Sequence, residues 1–101
     1  MNNDGHDTSI EFSGKWLKDF IEPLLDNPVF SNTLFVVTYD ESESYMGNNQ
    51  VYTVLLGKMV EKGSFDDTYY THYSQLAFLN REWGMQGLDQ DRFASPYKLH
   101  E

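Results

Sequence analysis

Two short runs, Leu34-Phe35-Val36-Val37 and Val54-Leu55-Leu56, set apolar residues side by side with no alternation. Successive side chains of a strand point to opposite faces, so an unalternating run needs cover on both sides. The chain has only 101 residues, one domain at most, in which to provide that cover. A chain of this size buries about two thirds of its unfolded surface, and two strands alone are marginal. The order along the chain is helix, strand, strand, helix, which makes part of an α/β layer. The expectation is a single partial domain over residues 1–101.

The first helix is predicted from about Ser9 to Glu22. Phe12, Trp16, Phe20 and Leu24 recur every four residues, with Leu17, Ile21 and Leu25 beside them, as one apolar face requires. Thr8 and Glu11 have the spacing of a capping box at its start, and Pro23 is expected to end or kink it. The second helix is predicted over "HYSQLAFLNREWG", with Tyr73, Leu76, Ala77, Leu79 and Trp83 facing inward. Residues beyond Gly84 have weak periodicity and read as irregular.

Composition narrows the functions open to such a chain. Aromatic residues make up 16% of it, too many for a disordered tail. A net charge of −9 without any basic stripe argues against a nucleic-acid backbone as partner. No apolar run is long enough to span a bilayer, and no signal peptide is visible in the chain. Zero cysteines removes disulfides and thiolate metal sites.

Chemistry-bearing side chains gather at three places. Asp4, His6 and Asp7 stand together in "NDGHD" before the first helix. Asp40 and Glu41 follow the first strand directly, at the carboxyl end where open α/β sheets place ligands. His72 opens the second helix after a long loop. Carboxylate and imidazole donors without thiols suit a hydrolytic divalent metal. Each place also has a plain structural role: a polar loop, a solvated strand end, and a helix-start residue. The stretch "DESESYMG" does not make a calcium loop, because Tyr45 stands where the sharp turn needs glycine.

Five blocks occur in one order: "NDGHD", "SGKWLKDFIEPLL", "TLFVVTYDE", "YTVLLG", and "YTHYSQL" before "EWG". In this the chain resembles the C-terminal part of the fungal acid phosphatase branch of the phosphoesterase family, which also includes bacterial phospholipases C. The resemblance spans residues 2 to about 88. It implies a C-terminal fragment of an alkaline-phosphatase-like α/β/α sandwich. It further implies that Asp4, Asp40 and Glu41 are metal ligands and that His6 and His72 are catalytic, with Asp7 at the helix start. A divalent metal ion would be the cofactor and a phosphate ester the substrate. The family's acidic-Asn motif and hydroxyl nucleophile find no counterpart here, and they are expected upstream of this segment.

The leading expectation is therefore a segment of a metal-dependent acid phosphatase, incomplete as a catalyst on its own. In the intact enzyme, phosphoryl transfer to a hydroxyl would precede attack by water, with a protonated histidine as general acid. The competing expectation is a non-catalytic remnant or small binding module that kept the scaffold. The resemblance implies secretion or a cell-wall location. Unprotected strand edges are expected to make the isolated chain self-associate.

Overall fold

The computed structural model of the chain describes residues 2–44 and 46–99; Tyr45, the residue that excludes a calcium loop, lies outside them. Helix α1 spans Ile10–Asp26. Its N-cap is Ser9, one residue later than the Thr8 box predicts, and the Ser9 hydroxyl accepts from the Phe12 amide at 3.2 Å. Thr8 is engaged elsewhere, since its hydroxyl accepts from the Gly5 amide at 3.0 Å. Pro23 lies inside α1 and does not end it. Only one turn follows the proline. The helix loses a single backbone bond there, half-buried Leu24 anchors the turn, and the Asn27 amide closes it on the Leu24 carbonyl.

The exposure of α1 also differs from expectation. Ser13 is its buried residue, with Leu17, Ile21 and Leu24 half-buried. The predicted apolar face is split: Leu17, Ile21 and Leu24 lie on its covered side, while Trp16 is 41% and Phe20 53% exposed, their rings stacked at 5.1 Å. Helix α1 therefore has two apolar stripes, of which this chain covers one.

After a 3-10 turn at Pro28–Phe30, capped by the Asn27 side chain on the Val29 amide, the chain enters β1, Phe35–Thr38. Phe30 meets Phe35 edge to face at 6.2 Å. Strand β2 spans Thr53–Leu56 and pairs antiparallel with β1, Phe35 opposite Leu56 and Thr38 opposite Thr53. Every residue of β1 is half-buried, so the absence of alternation in the sequence reappears as equal partial cover on both faces. These two strands form the sheet of the described residues. At its end the two threonine hydroxyls bond across the strands at 2.7 Å. Gly57, at φ 148°, lies against the Thr33 carbonyl, where an added Cβ would come to 2.8 Å.

The chain resolves into two compact units, Met1–Val60 and Glu61–Glu101. In the second, α2 spans His72–Trp83 and ends on Gly84 in the left-handed conformation, with the Met85 amide reaching back to the Asn80 carbonyl. Its packed side is Ser74 and Phe78, with Leu76 and Ala77 half-buried; Tyr73, Leu79 and Trp83, expected inside, are exposed. The reason lies in the segment beyond Gly84. Tyr97, 6% exposed, packs against Phe78 at 6.3 Å, and its carbonyl accepts from Arg81 Nη2 at 3.3 Å. Buried Asp91 accepts from the Leu88 and Asp89 amides and from Asn80 Nδ2 on α2. Those bonds, the Asp89 amide foremost, hold its carboxyl below the usual range against the opposing effect of burial. The irregular tail thus supplies half of the small core, and it selects which face of α2 turns inward. The fold is mixed α/β.

Candidate functional site

Within the first unit the opening loop is folded around Asp4. Its Oδ1 accepts from the His6 amide at 3.2 Å and from the Asp7 amide at 3.1 Å, an Asx-type turn. The Asp7 bond is the main reason the Asp4 carboxyl lies below its ordinary value, opposed by partial desolvation. Gly5 turns the chain at φ 77°. A Cβ built there would meet Ser13 Oγ at 3.2 Å and the Tyr39 ring at 3.6 Å, so the loop rests on α1 and on the residue preceding Asp40. His6 and Asp7 are solvent-exposed. Replacing Gly5 by Ala should destabilise this loop by about 1–2 kcal/mol through the left-handed backbone alone. Urea unfolding of the variant checks this, and an unchanged midpoint would show that the turn relaxes without strain.

The strand end is held just as locally. Asp40 Oδ1 accepts from the Glu41 amide at 2.9 Å. Asn49, at φ 54°, accepts from the Ser42 amide at 2.7 Å and draws the two sides of the long β1–β2 connection together. Both acidic side chains are exposed. The Tyr39 ring, 3.6 Å from where a Cβ on Gly5 would stand, places the opening loop near the strand end that carries them. Among the described residues no three His, Asp or Glu side chains form a group that could hold a metal ion.

In the second unit His72 is the first residue of α2 and is exposed. Its position is fixed from beneath by Ser74, 1% exposed, whose Oγ accepts from the Thr71 amide at 3.0 Å while its own amide donates to the Thr71 carbonyl at 2.9 Å. An imidazole at a helix start sits beside the positive end of the helix dipole, a setting that favours anions. Sequence reasoning missed Ser13 and Ser74. A serine inside a helix gives no periodic signal, though Thr71-x-x-Ser74 is a weak form of the capping pattern.

Residues 1–86 match the phosphoesterase family. The chain is 50% identical over 92 residues to the probable acid phosphatase of Kluyveromyces lactis, covering 87% of this chain and 22% of that protein. It is 48% identical over 92 residues to the acid phosphatase of Aspergillus niger, with the same coverage. To the phosphatidylinositol-3-phosphatase of Mycobacterium tuberculosis it is 33% identical over 84 residues, covering 83% of this chain and 27% of that protein. The chain thus spans 22% of the length of the fungal relatives named here. No solved structure matches it.

Proposed function

This chain belongs to the phosphoesterase family, and on that premise we propose that it is the C-terminal segment of an acid phosphatase that hydrolyses phosphate esters within an alkaline-phosphatase-like α/β/α sandwich. The observation that carries the reading is the 50% identity to a fungal acid phosphatase over 87% of this chain, beside a family match over residues 1–86, which include Asp4, His6, Asp40, Glu41 and His72. His72 donates to a phosphate oxygen from the start of α2, where the helix dipole adds to the attraction. His6, exposed on its turn, gives a proton to the leaving oxygen. Asp4, Asp40 and Glu41 are the carboxylates that would serve a divalent metal, with further ligands needed to complete the site. Location outside the cell, in the medium or the wall, is part of the same proposal and rests on family resemblance alone.

A segment exchange tests it. With this chain in place of the matching segment, the Kluyveromyces lactis protein should still hydrolyse a generic phosphomonoester. A folded but inactive hybrid would favour the competing reading, a remnant that kept the scaffold without the chemistry.

The sheet suggests one further property of the isolated chain. A two-stranded sheet leaves an outer edge on each strand, and neither Phe35–Thr38 nor Thr53–Leu56 contains a Lys or Pro to blunt it. The isolated chain should therefore sediment as a dimer or larger species at physiological salt. There the repulsion from its net charge of −9 is screened beyond about 8 Å. A sharp monomer boundary at both low and high salt would mean that the edges are protected.

A further inference from the structure

We propose that Asp66 and Tyr70 are positioning residues that present His72, an inference that rests on the phosphate-binding role given to His72 above. The loop before α2 is not a slack connection. Asp66 Oδ1 accepts from the Thr68 amide at 2.9 Å and Oδ2 from the Tyr70 hydroxyl at 2.5 Å. Bonds from Thr68 and Tyr70 hold the Asp66 carboxyl at about 2, so it stays an ionised acceptor well into the acid range. The Tyr70 ring stands edge to face with Tyr97 at 5.2 Å and 82°. Lys98 Nζ reaches Thr68 Oγ1 at 3.4 Å from the same tail segment. Residues 66–70 are thereby held between the Asp66 carboxylate and the tail at buried Tyr97, and the next two residues are the N-cap Thr71 and His72.

The consequence is thermodynamic. Phosphate affinity scales with the fraction of time that the imidazole spends in its binding orientation. Ser74 fixes the start of α2 from the helix side, while Asp66 and Tyr70 fix the loop that enters it. With the entering loop loosened, α2 can remain folded while His72 samples orientations that do not bind.

Inorganic phosphate added to the whole 101-residue chain, with the His72 ring signals followed by NMR, tests the proposal. In the unaltered chain phosphate should shift the His72 ring resonances. Tyr70→Phe keeps the ring against Tyr97 and removes only the hydroxyl, while Asp66→Asn removes the charge. Each should require about fivefold more phosphate for the same shift, the equivalent of one hydrogen bond. Far-UV circular dichroism and the His6 signals should not change, which a general loss of structure would not allow, and Asp66→Glu should restore part of the response. A shift in the unaltered chain that persists at equal phosphate in both variants would overturn the positioning role and leave the function of His72 standing. No phosphate response in the unaltered chain would overturn that function and the positioning role with it.

Discussion

Replacing His72 by Ala in the active hybrid should lower kcat/KM for a phosphomonoester by about 10²–10³, the loss expected for one hydrogen-bond donor to the reacting phosphoryl group. The side chain is exposed at the start of α2 while the turn beneath it is tied by buried Ser74. Its removal therefore costs little packing, and the loss would report on chemistry rather than folding. The isolated chain should behave differently. On the reading that the nucleophilic hydroxyl is supplied from outside this segment, the isolated chain has no route to a covalent phosphoryl intermediate, so it should turn over substrate no faster than its Asp40→Ala/His72→Ala variant. Steady-state kinetics on both preparations decide the matter. An unchanged kcat/KM in the hybrid variant would remove His72 from the mechanism, and a clear rate from the isolated chain that Asp40→Ala abolishes would show the segment to be catalytically sufficient.

Phe78→Ala should have an effect of similar weight on stability. Phe78 is 7% exposed and packs on Tyr97, and these two are the buried hydrophobic residues among those described. Truncating a buried Phe costs about 3–5 kcal/mol, against a total stability of about 5–15 kcal/mol for an ordinary domain. A unit with so small a core cannot absorb that loss. Amide exchange should show protection vanishing along α2, and the Arg81 guanidinium, 5.3 Å from the Phe78 ring centroid, loses its seat as well. Persistent protection of the α2 amides in the variant would mean that Asp91 and its bonds to Asn80 and the tail hold the unit without the aromatic pair.

Much of the scaffold was legible from periodicity and composition. Both strands lie where unbroken apolar runs placed them, and α2 begins at His72 and stops at Gly84, as an apolar pattern closed by glycine should. The facing of the helices was not legible. Helix α1 has apolar residues over so wide an arc that periodicity gives an axis without choosing between the Leu17–Ile21 side and the Trp16–Phe20 side. In α2 the choice is made by Tyr97, which belongs to a stretch with no periodic signal. The site divides in the same way. Asp4, His6, Asp40, Glu41 and His72 could be singled out as residue types at telling places and matched to a family. Their surroundings are tied by hydrogen bonds that the side chains of Thr8, Ser74, Asn49 and Asp66 accept. Polar residues of that kind occur in every loop, and only the folded chain distinguishes those that are engaged.

The antiparallel register has a kinetic consequence. Phe35 pairs with Leu56 and Thr38 with Thr53, so the sheet closes by a hairpin between neighbouring stretches of chain and needs no crossover. In the second unit the tail likewise returns to the helix just before it, through Asn80 to Asp91 and Arg81 to Tyr97. Contacts of such short sequence separation involve little loop-closure entropy, and hairpins form within about 1–10 μs. Low contact order of this kind goes with rapid folding. Each unit can therefore reach its local structure early, before slower pairing with any distant part of a polypeptide, and the loops bearing Asp4, Asp40 and His72 would take their shape at that early stage.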